Sequence, residues 1–76
     1  MNLELAILNV LMASPNAIPV GVIAGHVSHF TGKPETIADL NAGLKRLEQK
    51  GHAHGTANQD RGTLWKETDD GRLRAA

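Results

Sequence analysis

Apolar residues recur at helical spacing through three successive blocks, and a shorter, strand-like alternation replaces that period toward the end of the chain. The first block predicts a helix over about residues 3–13, with Asn2 placed to cap it and Ser14-Pro15-Asn16 to break it. Ile7, Leu8 and Leu11 form one stripe, but Leu3, Leu5, Val10 and Met12 spread around the cylinder. A helix apolar on nearly every side calls for burial on more than one of them. In so small a domain a second subunit is a candidate cover, so Leu3, Leu5, Val10 and Met12 are the expected contacts of a homodimer.

The second block predicts a helix over about residues 20–31, with Pro19 in its first turn and Gly32 ending it. Val20, Ile23, Ala24, Val27 and Phe30 form its stripe, and Gly21 and Gly25 each weaken it by roughly 1 kcal/mol against alanine. The third block, about 35–50, opens at Pro34 and stops at Gly51. Ile37, Leu40, Leu44 and Leu47 are its inward stripe, leaving Glu35, Ala38, Asp39, Ala42, Gly43, Arg46 and Lys50 outward. Beyond it, about 52–56 and 62–67 read as two strands around a turn at Asn58-Gln59-Asp60-Arg61-Gly62. Thr68 then caps a short helical turn with Asp69 and Asp70 at its positive end.

Composition narrows the chemistry. Seventy-six residues make one domain spanning 1–76, and the absence of cysteine excludes disulfides, thiolate-bound zinc and thiol nucleophiles. The apolar start has no preceding basic residue, carries Glu4 and is too short to span a bilayer, so a core helix in a cytoplasmic protein is expected. No phosphate loop, nucleophile elbow or carboxylate pair across a cleft is legible, so no enzymatic activity and no cofactor are expected. His26 and His29 lie three apart, and His52 and His54 two apart. They would share a metal only if their elements converged, and surface histidines are the plainer reading, so no metal is expected.

Eight basic and eight acidic residues balance, yet residues 1–32 hold only Glu4 among them. The front of the chain is built for burial and the back for polar contact.

Two apolar helices, a longer amphipathic helix and a hairpin follow one another in the order of the winged helix-turn-helix. Particular residues carry the likeness further. Ile7-Leu8-x-x-Leu11, then Pro19 before Ile23-Ala24-x-x-Val27, resembles the first two helices of many bacterial winged-helix regulators. Leu44-Lys45-Arg46-Leu47-Glu48-Gln49-Lys50-Gly51 is similar to the end of their recognition helix. Leu64-Trp65-Lys66-Glu67-Thr68-x-x-Gly71-Arg72 resembles the second wing strand and following turn of MarR-like and PadR-like proteins. The resemblance implies a mainly α (α+β) fold of three helices with a C-terminal two-stranded wing. It also implies a regulator of transcription that binds double-stranded DNA, with the third helix in the major groove and the wing on the backbone.

Carried over by position, the resemblance gives a DNA-contact set of Lys33, Thr36, Asn41, Lys45, Arg46, Lys50, Arg61 and Lys66. Each has a plainer reading: late basic residues complement the helix dipole, and a loop arginine such as Arg61 is often simply solvated. Trp65, beside Leu64, is expected to seal the sheet against the helices. A different use also fits the neutral charge and the small, acidic outward face of the third helix. In that reading the winged helix is a protein-interaction or assembly module with little or no affinity for DNA.

Overall fold

The computed structural model describes residues 1–75. Helix α1 (Leu3–Ala13) starts where Asn2 Oδ1 accepts a hydrogen bond from the Leu5 amide at 2.9 Å. It is followed by a strand β1 of two residues (Ile18–Pro19), and then by α2 (Val20–Thr31), which closes on Gly32 at φ 79°. Helix α3 (Ile37–Gln49) comes next, then strands β2 (Ala53–Asn58) and β3 (Gly62–Glu67), and a last helix α4 (Asp69–Ala75). The sheet is antiparallel with order β1-β3-β2. Three helices and a wing hairpin are the arrangement expected from the sequence, and this is a winged-helix fold.

The departures are local. Helix α3 runs 37–49 rather than 35–50, because Thr36 rather than Pro34 sets its start: Thr36 Oγ1 accepts from the Asp39 amide at 3.0 Å. The first wing strand spans 53–58 rather than 52–56. Strand β1 had no expected counterpart. It pairs Ile18 with Trp65 and Pro19 with Leu64, and Pro19 is tolerated because β1 lies at the edge of the sheet.

Helix α1 occupies the centre. Ala6, Ile7, Leu8 and Leu11 are fully buried, and α1 packs against α2, α3, β3 and α4. Most of its apolar surface is therefore covered within the chain. Val10, expected at a dimer contact, is only 4% exposed and belongs to this core, while Leu3, Leu5 and Met12 are half-buried. Ile23 and Val27 of α2, Leu40, Leu44 and Leu47 of α3, and Ala53 and Trp65 of the wing complete the core. Phe30, expected in the buried stripe of α2, is instead exposed.

Two polar ties hold the wing to the helices. Lys66 Nζ donates to the carbonyls of Leu11 (3.0 Å) and Ser14 (2.7 Å) at the end of α1. That helix has no basic residue in its last turn, so β3 supplies the charge its negative end lacks. Glu67, with its side chain 1% exposed, lies 2.6 Å from Lys66 Nζ and accepts from Arg72 of α4 at 2.5 Å. Burial pushes the Glu67 carboxyl up, but Lys66 above all, with the strand backbone and the charge of Arg72, outweighs it and holds the group below the usual carboxylate range.

A carboxylate lowered in the folded state stabilises the protein above its unfolded pKa, and that contribution disappears as pH falls through the folded value. Glu67→Gln is therefore expected to cost roughly 1–2 kcal/mol at pH 7, the lower part of the range for charge-assisted bonds because both cations keep contact with water. Melting curves of wild type and variant should converge below about pH 4.5, near the free carboxylate pKa. A constant gap across that range would contradict the role assigned to this carboxylate.

Candidate nucleic-acid interface

The third helix buries three of the four residues its apolar spacing suggested, and departs from the expected faces chiefly at Ile37 and Gly43. Leu40, Gly43, Leu44 and Leu47 are buried, whereas Ile37 is 47% exposed. Gly43, expected outward, lies where an added Cβ would sit 3.0 Å from Ile7 Cδ1, so the missing side chain is what lets α1 approach this flank. Ile37, expected inward, occupies the first turn of α3, where Thr36 has just brought the chain in from solvent. Asp39, Gly43, Arg46 and Lys50 succeed one another at intervals of four, three and four, so they share the flank turned toward α1. The exposed ridge comprises Ala38, Asn41, Ala42, Lys45 and Gln49. Asp39, though exposed, therefore stands on that flank rather than on the ridge.

Opposite this ridge stands the wing. Asn58 Oδ1 accepts from the amides of Asp60 (2.9 Å) and Arg61 (3.0 Å), which folds the tip, and Gly62 at φ 76° takes the left-handed conformation that returns the chain into β3. A groove of about 490 Å³ separates helix from hairpin. Asn41, Lys45 and Glu48 line the helix side, and Ala57, Arg61 and Thr63 the wing side, above Pro19, Val20 and Trp65. Trp65 is 6% exposed, as expected of a core residue, and its ring lies against Gly55, where a Cβ would approach it to 2.9 Å.

The eight residues expected to contact DNA fall into two groups. Lys33, before α3, and Lys45 and Arg61, on the two walls of the groove, are exposed and form no ion pair among the described residues. Asn41 projects from the ridge, and Thr36, though its oxygen caps the helix, keeps its hydroxyl proton free to donate. Arg46, Lys50 and Lys66 are engaged within the chain. Arg46 Nε (3.2 Å) and Lys50 Nζ (2.8 Å) both donate to the carboxylate of Glu4 on α1. The Lys50 hydrogen bond chiefly, with Arg46 adding to it, outweighs partial burial and lowers the Glu4 pKa. Lys66 is turned into the body of the domain.

Sequence reasoning missed Glu4 as the anchor of two cations and Lys66 as the cap of α1. Both contacts span more than forty residues of chain, beyond the reach of any local periodicity. The lone acid in an otherwise uncharged front segment was the available signal for Glu4. Among the described residues no three histidine or carboxylate side chains gather as metal ligands, and no helix is long and apolar enough to cross a membrane.

The fold has close counterparts among solved structures. The chain matches hsRosR-S1, taken from a structure of its complex, at a TM-score of 0.83 and 20% identity, over 99% of this chain and 65% of that one. It matches the PcaV transcriptional regulator of Streptomyces coelicolor, solved with its natural ligand, at 0.78 and 22%, over 99% of this chain and 49% of that one. SSV1 F-93 gives 0.71 and 19%, over 99% of this chain and 80% of that one. The chain therefore spans about two-thirds and one-half the length of the first two proteins. No protein-family model matches the sequence, and no curated protein matches it. At these identities what is shared is the fold.

Proposed function

We propose that this chain is a DNA-binding winged-helix protein that regulates transcription, with α3 in the major groove and the wing on the adjacent backbone. The carrying observation is the groove between α3 and the wing, whose two walls each present an unpaired cation, Lys45 and Arg61. Phosphates neutralised from both sides would fix the register of α3, which leaves base reading to the ridge. The likeness to the PcaV regulator supports the same reading by fold. A cytoplasmic homodimer fits it too, since paired wings read two-fold symmetric sites, and the half-buried Leu3, Leu5 and Met12 leave apolar surface on α1 for a second copy.

Fluorescence anisotropy with random-sequence duplex DNA tests the reading. With three phosphate contacts from each chain, affinity per chain is expected to fall about 40-fold between 50 and 200 mM salt. Lys45→Ala and Arg61→Ala should each weaken binding across all sequences and lower the salt slope by about 1. Arg46→Ala and Lys50→Ala should change the slope little, because both cations face Glu4. Absence of binding at the lower salt would turn the search toward a protein partner. Equal effects of all four variants would place the contact surface elsewhere.

A further inference from the structure

Ile37 is a large aliphatic side chain left 47% exposed at the start of α3, and nothing in the fold requires it there. The exposed Thr36 caps the helix and the exposed Asp39 stands round on the far flank, while Ala38, Asn41 and Ala42 share the side of Ile37 and are exposed. Recognition helices contact base edges with their N-terminal residues, so these four, rather than Lys45 further along beside the wing, would meet the floor of a major groove. The chemistry of that set is narrow. It offers one bidentate hydrogen-bonding group, the Asn41 amide, which makes no intramolecular hydrogen bond among the described residues. The other three are methyl-bearing side chains.

Guanine is read mainly by arginine or lysine, and cytosine by a carboxylate. The first turns of the ridge carry neither: Asp39, though exposed, falls by helical spacing with Gly43, Arg46 and Lys50 rather than with Ile37 and Asn41, and Glu48 is half-buried beside the wing. Adenine N6 and N7 fit the two ends of an asparagine amide, and the thymine methyl is the only apolar feature of the major-groove floor. Resting on the DNA-binding reading, we infer that α3 recognises A·T base pairs, with Asn41 bidentate to an adenine and Ile37, aided by Ala38 and Ala42, packed on thymine methyl groups. Lys45 and Arg61 flank this face with the positive charge a duplex requires, which favours DNA over an apolar protein surface as its occupant.

The test is selection from a random duplex pool with the full chain at about 100 mM salt, where phosphate contacts still hold, followed by anisotropy on the enriched site. Four results are expected together. The selected sites are rich in A·T pairs. Deoxyuridine in place of thymidine, which removes only the methyl groups, weakens binding about 4-fold for each methyl buried. Asn41→Ala costs about 5- to 150-fold on the selected site and little on a G·C control, and Ile37→Ser reduces the sensitivity to deoxyuridine. Both positions are exposed, so unchanged melting temperatures would verify folding. Enrichment of G·C pairs, or binding without base preference, would overturn the inference while leaving the proposed function intact. A·T enrichment insensitive to deoxyuridine and to both variants would overturn the assignment to α3. No binding to any pool would overturn the proposed function and this inference with it.

Discussion

Leu44→Ala is expected to lower the stability of the domain by about 2–5 kcal/mol, the usual cost of emptying a closed leucine site. Leu44 is fully buried in α3, in one core with Ile7 and Leu11 of α1 and Ile23 of α2. With α1 packed against both α2 and α3, no single helix can close the space without disturbing the other two. A chain of this length has a total stability of about 4–11 kcal/mol, so this one change removes a large share. Trp65, the only tryptophan and buried in the same core, provides the signal for a urea titration. The midpoint should fall with the slope unchanged. A midpoint close to wild type would mean that Leu44 does not occupy a closed core site.

The second large effect is expected from the smallest substitution. Gly71 lies buried in α4, and a Cβ there would stand 1.9 Å from the carbonyl oxygen of His52, which is backbone and cannot swing aside. The same carbonyl accepts from the Thr68 amide at 3.0 Å, and Thr68 Oγ1 donates to Gly51 at 2.6 Å, so α4 is fastened where it would have to yield. Gly71→Ala is therefore expected to destabilise by about 1–3 kcal/mol, despite the roughly 1 kcal/mol by which alanine favours a helix. Melting should fall roughly 4–8 °C for each kcal/mol lost. Gly43→Ala is the control. Its Cβ would meet the terminal methyl of the buried Ile7 at 3.0 Å, a side-chain contact that needs to yield only a few tenths of an ångström, and the gain in helix propensity works against the crowding, so a much smaller loss than at Gly71 is expected. If the two variants melted together, the close docking of α4 on His52 would be refuted.

Much of the fold was legible because its signals are local. The limits of α1 and α2 follow from Asn2, the Ser14-Pro15 break and Gly32, each acting on the residues beside it. The exchange of Ile37 for Gly43 on the buried side of α3 was not legible. Its apolar positions allow Ile37 to complete the buried stripe, and only the approach of α1 over Gly43 shows that the stripe is centred elsewhere. Strand β1 escaped notice because two residues carry no alternation, and its existence depends on the distant Trp65 and Leu64. For the candidate interface, the sequence supplied candidate residue types but not their distribution over the surface. Lys45 and Arg46 are adjacent, yet one lines the groove and the other is held by Glu4, a distinction made by helix geometry and a contact forty-two residues away.

By holding two cations, Glu4 also bears on how such a protein would search a genome. Attraction to phosphate alone retains a regulator on the very large excess of irrelevant sites, on the order of 10⁶–10⁹ of them. If the chain binds DNA as proposed, keeping Arg46 and Lys50 on its own carboxylate would offer that excess a weaker hold, and it would depart from wrong sequences sooner. On the proposed reading, residence at the right one would then depend on the bases beneath α3, so that a neutral domain would gain in discrimination what it gives up in grip.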